Sequence, residues 1–133
     1  MNAIFADTSY YLALLNPADV HHARAVEIGN ALRDPVVTTD FVLVELGNGL
    51  SRVHVRAAFV RFMTDLRADP RTTIIPATRA LLDDGYDLFI QRLDKNWSLT
   101  DCISFVVMDQ YGLSEALTAD HHFEQAGFMV LLK

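Results

Sequence analysis

At 133 residues, with 51% hydrophobic and 21% charged residues and only six Gly and four Pro, the chain is sized and composed for one globular domain over residues 1–133, which excludes disordered and fibrous classes. The longest stretch free of Asp, Glu, Lys and Arg, Thr8 to Ala18, is eleven residues long and broken by Asn16-Pro17, too short to cross a bilayer. No basic region precedes the first apolar run, and no membrane attachment is expected. Eleven Lys+Arg against seventeen Asp+Glu leave a net charge of −6, which argues against nucleic-acid binding through bulk charge.

Asn2 to Ala6 reads as a first strand ending at Asp7, followed by a short helix that Asn16-Pro17 stops. Val20, Ala23, Val26, Ile28 and Leu32 keep helical spacing between Pro17 and Arg33, where Asp34-Pro35 ends the segment. Val36-Val37-Thr38 is a β-branched strand, and Thr39-Asp40 opens a helical stretch through Glu45 to Arg52. A further helix runs from about Val55 to Ala68, a third strand from Thr72 to Ile75, and an amphipathic helix from Thr78 to Leu93. Ser98, with Asp101 three places on, starts a helix in a capping-box pattern, and Gly112 stops it. Ala116 to Ala119 is a fourth strand, His121 to Gln125 a helical turn, and Phe128 to Leu132 a fifth strand. Strands separated by helices imply parallel pairing. The expected fold is a three-layer α/β/α sandwich on a central parallel sheet of about five strands, with ligands beyond the carboxyl ends of the strands.

The acids divide into thirteen Asp and four Glu, and the bases into nine Arg and two Lys. Short carboxylates are poor helix formers and good caps, turn residues and metal ligands, so their excess in a helical chain asks for a cause. Asp7 and Asp120 each follow a strand and therefore share one sheet edge. Glu45 falls on a helix face that otherwise reads as buried, and Asp101 falls in the first turn of its helix. Neither Lys95 nor Lys133 is placed to pair with these acids, which leaves a divalent cation as their natural neutraliser. Taken singly, each acid reads as a cap, a turn residue or an arginine's partner. Taken together, they are the hard oxygen set that Mg²⁺ or Mn²⁺ requires.

The segments Phe5-Ala6-Asp7-Thr8-Ser9, Thr39-Asp40-Phe41-Val42-Leu43-Val44-Glu45, Trp97 to Phe105 and Leu117-Thr118-Ala119-Asp120-His121-His122-Phe123 occur in this order across the whole chain. Together they resemble PIN-domain ribonucleases of the VapC toxin type. The resemblance implies a PIN-like fold and a Mg²⁺- or Mn²⁺-dependent endoribonuclease, the toxin of a toxin–antitoxin pair. It implies an RNA substrate, a cognate antitoxin and a homodimer; a cytoplasmic setting is expected from the first apolar run, which reads as no signal peptide, and from the single cysteine. It maps the catalytic acids onto Asp7, Glu45, Asp101 and Asp120, with Asp7, Asp101 and Asp120 as metal ligands. Thr8, Ser9, Thr100 and Ser104 are the hydroxyls it offers for orienting ligand or substrate. Many relatives carry a further acid two places after the fourth, where this chain has His122.

Other features read more simply. His21-His22 and His121-His122 are adjacent rather than i, i+4 pairs, so they are not read as a zinc site. Cys102 reads as a small buried residue, because the carboxylate beside it raises its thiol pKa; as a lone cysteine it can form no internal disulfide. Gly47 and Gly49 suggest close helix packing, and Trp97 a packing residue ahead of a cap. Arg52, Arg56, Arg61, Arg67 and Arg71 lie in one window opposed only by Asp65 and Asp69, a local +3. Of these, Arg52 and Arg56 are placed to reach phosphates flanking a scissile bond. A phosphorylation receiver would need an acid after the third strand, where Thr72-Thr73-Ile74-Ile75-Pro76 has none. A haloacid-dehalogenase-like phosphatase would need an Asp where Ser9 stands. The alternative from another class is a non-catalytic PIN-like module that binds RNA or protein, against which four mutually repelling carboxylates argue.

Overall fold

The computed structural model describes residues 2–133. Five strands, β1 (Ile4–Ala6), β2 (Val36–Thr39), β3 (Thr72–Ile75), β4 (Glu115–Leu117) and β5 (Met129–Val130), form one sheet in the order β3-β2-β1-β4-β5. Every pairing is parallel, with Phe5 opposite both Val37 and Ala116. β1 and β2 are buried at every residue, as strands covered on both faces must be, which explains their unbroken apolar and β-branched sequence. Between β1 and β3 lie α1 (Thr8–Leu15), α2 (His22–Ala31), α3 (Asp40–Gly49) and α4 (Val53–Ala68); α5 (Arg79–Gln91), α6 (Leu99–Gln110) and α7 (His121–Gln125) complete the chain. The chain runs from β1 through β2 to β3 in one direction along the sheet and returns past β1 to β4 and β5 in the other, an order that, with the right-handed crossovers parallel sheets use, sets the two groups of helices on opposite faces. The three-layer sandwich expected from the alternation of elements is the observed one.

The helix ends follow local chemistry. Thr39, Thr78 and Ser98 each accept a backbone N–H from three residues on, at 3.0–3.1 Å. At the end of α6, Gly112 takes φ +66°, Gly112 N–H donates to Asp109 and Leu113 N–H to Met108, a Schellman turn that an L side chain would strain. Several boundaries differ from expectation: β5 is Met129–Val130 rather than Phe128 to Leu132, and α3 ends at Gly49 short of Arg52. The segment after Pro17 is not helical until His22, because the carboxamide of Asn16 and the carboxylate of Asp19 accept the N–H groups of Ala18 and His21 and hold turns instead. β4 ends at Leu117 rather than Ala119, so Asp120 stands three residues beyond the strand and caps α7.

Phe5, Phe105 and Phe123 are fully buried and meet over the carboxyl half of the sheet, Phe105 edge-on to Phe123 at 4.9 Å. Trp97 is buried edge-on against Phe105 at 5.0 Å and donates Nε1–H to Gln125, as its reading as a packing residue requires. This cluster ties α6 and α7 to β1, and so fixes Asp101 and Asp120 relative to Asp7. Gly47 packs under the Phe59 ring, where a Cβ would lie 3.1 Å away. Gly85 is tighter: a Cβ would come within 2.2 Å of Ile103 Cγ1 and 3.1 Å of its Cα, so α5 and α6 can approach only through glycine. Gly85→Ala is expected to destabilise the fold by roughly 1–3 kcal/mol through overpacking. Urea unfolding should show the midpoint falling at unchanged slope.

Candidate active site

The order of strands reverses between β1 and β4, and the ends of those two strands open the crevice in which parallel α/β sheets place their ligands. Asp7 follows β1 directly, its N–H donating to Leu117 O of β4. Asp7, Glu45, Asp101 and Asp120 line one cleft of about 300 Å³, with Thr8, Ser9 and His122 between them and no lysine or arginine among its lining residues.

Asp7 is buried at the base of the cleft. It occupies the cap position of α1, yet its carboxylate makes no cap hydrogen bond and instead accepts the hydroxyls of Thr118 at 2.9 Å and Ser9 at 3.1 Å. The capping interpretation therefore fails for this residue. Burial pushes its carboxyl up to about 7, and the neighbouring Asp101 adds to the rise, while the two hydroxyls and a backbone N–H pull against it.

Asp101 has two roles. Ser98 N–H donates to its Oδ2 at 3.1 Å, while Ser98 Oγ accepts the Asp101 N–H at 3.0 Å, which completes the capping box read from the sequence. The same Oδ2 lies 3.0 Å from His122 Nδ1. Burial raises this carboxyl too, and the nearby Asp120 reinforces the shift. Asp120 is half-buried; its Oδ1 accepts His122 N–H at 2.9 Å and lies 3.4 Å from His122 Nδ1.

Glu45 corrects an expectation. It is exposed at the rim of the cleft, because α3 buries only the narrow stripe of Val42, Leu43 and Leu46 and leaves Val44 and Glu45 outside it. Of the four hydroxyl residues, Thr8 and Ser9 line the cleft. Thr100 is half-buried outside it, and Ser104 lies in the core with an Oγ that has no hydrogen-bond partner among the described residues. Arg52 caps α4 and is exposed; Arg56 donates to Ser51 O at 2.9 Å beside the groove between α3 and α4. Cys102 is buried, and its thiol is raised by burial first and by Asp101 second.

Sequence reasoning missed Thr118. Its hydroxyl donates to Asp7, accepts the Asp120 N–H at 3.0 Å and meets Ser9 Oγ at 2.9 Å, so it links two of the acids. The only signal was a hydroxyl two residues before Asp120 at a strand end. The adjacent histidines were also undervalued: donor atoms of Asp120, His121 and His122 all fall within 4.8 Å of one another, because both rings fold back over the cap residue.

An all-parallel 3-2-1-4-5 sheet with converging acids at its switch point is the architecture of a PIN domain. The PIN domain family matches residues 4–129, and the chain belongs to that family. Within it the chain is a homologue of the 23S rRNA-specific endonuclease VapC20 of Mycobacterium tuberculosis, 30% identical over 131 residues that cover 95% of each protein. The crystal structure of that VapC20, described as a Sarcin-Ricin loop cleaving toxin, superposes with a TM-score of 0.86 at 28% identity over 95% of this chain and 96% of the other. The fold is shared more distantly by FitAcB from Neisseria gonorrhoeae, with a TM-score of 0.67 at 19% identity over 96% of each chain. It is shared also by VapBC2 from Rickettsia felis bound to a DNA fragment from their promoter, with a TM-score of 0.67 at 12% identity over 96% of each chain. The resemblance drawn from the four motifs stands, and no helix among the described residues is long and apolar enough to cross a membrane.

Proposed function

We propose that this protein is a divalent-cation-dependent endoribonuclease and the toxin of a toxin–antitoxin pair. The observation that carries this reading is the convergence of Asp7, Glu45, Asp101 and Asp120 on one cleft whose lining residues include no lysine or arginine. The donor set fits a hard cation: carboxylate oxygens, one of them on an aspartate whose ionisation is opposed by burial and then by the neighbouring Asp101. Asp7, Asp101 and Asp120 would hold Mg²⁺ or Mn²⁺, which supplies positive charge for a phosphodiester under attack and makes water more acidic. Thr118 and Ser9 fix the rotamer of Asp7, and the Ser98 N–H fixes that of Asp101, so both carboxylates are held before substrate arrives. Glu45, on the rim and open to solvent, orients the attacking water and takes its proton.

The specificity of VapC20 supports 23S rRNA as the first substrate to test. Arg52, at the N-cap of α4, and Arg56, both exposed, would contact phosphates flanking the scissile bond. An antitoxin that inserts a guanidinium among the acids would silence the enzyme, since it can bind carboxylates bidentately in the cation's place. A homodimer in the cytoplasm completes the reading.

Incubation with 23S rRNA, tRNA and messenger RNA, with Mg²⁺, with Mn²⁺ and with chelator, tests it. Cleavage only with a cation, leaving 5′-phosphate and 3′-hydroxyl ends, is expected. Full activity in excess chelator, or 2′,3′-cyclic phosphate ends, would replace this mechanism with a cation-free one.

A further inference from the structure

We propose that His122 is itself a metal ligand, through Nδ1, and that it biases the site toward Mn²⁺ over Mg²⁺. The inference rests on the cation-dependent reading of the cleft and concerns only the residue with which this chain departs from an all-carboxylate set. His122 lines the cleft, and its side chain keeps only 19% of its exposure. Nδ1 sits 3.0 Å from Asp101 Oδ2 and 3.4 Å from Asp120 Oδ1, so it faces the two acids that arrive from different elements rather than solvent. Neighbouring ligands around an octahedral ion with bonds of about 2.1 Å are roughly 3.0 Å apart. Nδ1 is therefore spaced from each of these oxygens about as a neighbouring ligand would be, and the Nε2–H tautomer, which exchanges the hydrogen bond to Asp101 for a lone pair at Nδ1, is the form that binds the ion. The ring is flanked by the His121 ring, tilted at 53° with centroids 4.5 Å apart, and Asp120 accepts the N–H of the His122 backbone. Mg²⁺ favours oxygen and gives up water reluctantly, whereas Mn²⁺ accepts imidazole more readily, so one nitrogen in the set shifts the preference.

The test is Mn²⁺ binding to the full chain in the absence of RNA, followed by the loss of the free-ion EPR signal and by competition with Mg²⁺. Pulsed EPR on protein carrying ¹⁵N-histidine reads whether a ring nitrogen is bound. Wild type should show histidine nitrogen coupling that disappears in both His122→Asp and His122→Asn and persists in His121→Ala. His122→Asp should lower the Mn²⁺-to-Mg²⁺ affinity ratio by about tenfold. Asp is well tolerated in the first turn of a helix, so this variant should fold. Mn²⁺ bound without nitrogen coupling, coupling that follows His121, or an unchanged ratio in His122→Asp would overturn the assignment while leaving the cation-dependent nuclease intact. Wild type that binds no Mn²⁺ at all, with Asp7→Asn no different, would remove both.

Discussion

Asp7→Asn should abolish cleavage and at the same time make the cation-free protein more stable above neutral pH. The carboxyl's folded value of about 7 stands well above the 3.8 of an unperturbed aspartate, because burial penalises its charged form. A raised acid binds its proton more tightly in the folded state. Its stabilising contribution is therefore complete below about pH 4, is lost as pH rises toward 7, and is absent beyond. A displacement of that size corresponds to about 4 kcal/mol at most. Asp101, raised in the same direction, steepens the fall. Asparagine is neutral throughout and can still accept the Thr118 and Ser9 hydroxyls, so the variant should match wild type near pH 4 and exceed it at pH 8. Urea unfolding in chelator across that range measures this. Excess Mg²⁺ or Mn²⁺ should restore wild type at pH 8, by about 2.7 kcal/mol at a hundred times Kd, and leave the variant unmoved. A variant less stable than wild type at pH 8 would show that the carboxylate is structural.

Asp101 allows capping and chemistry to be separated, because its Oδ2 serves both. Asp101→Asn retains an oxygen for the Ser98 N–H, whereas Asp101→Ala removes it. Alanine should cost roughly 0.5–2 kcal/mol of stability that asparagine largely spares. Activity should not follow stability. Both variants lose a charged oxygen from the cleft, and removing several kcal/mol of charge stabilisation slows cleavage on the order of a thousandfold in each. Kinetics on a 23S rRNA fragment beside thermal unfolding would decide it. An active Asp101→Asn would leave Asp101 as a cap and nothing more.

The residues that determine local structure were readable in order along the chain. Strand and helix alternation, the Ser98–Asp101 capping box and the Gly112 stop each depend on a few neighbouring residues, and each appears where the sequence places it. Four motifs in the right order were enough to identify the family, and with it the four acids that line the cleft. Local sequence left other matters open, because they depend on distances between elements far apart in the chain. Nothing near Thr118 shows that its hydroxyl will meet Asp7, 111 residues earlier, and nothing near Gly85 shows that Ile103 will leave it no room for a Cβ. The exposure of Glu45 follows from how narrow a stripe α3 buries against its neighbours, which helical period alone does not set. Asp7 reads locally as a helix cap, and only the approach of β4 to β1 turns its carboxylate into a buried, proton-retaining group. His122 is one of an adjacent pair in sequence; the packing of Phe123 and Phe105 against Phe5 is what brings its ring between Asp101 and Asp120. Side-chain identity and spacing specify the elements and the donors, while burial, ionisation and convergence are properties of the packed molecule, since dielectric and distance exist only once the layers close.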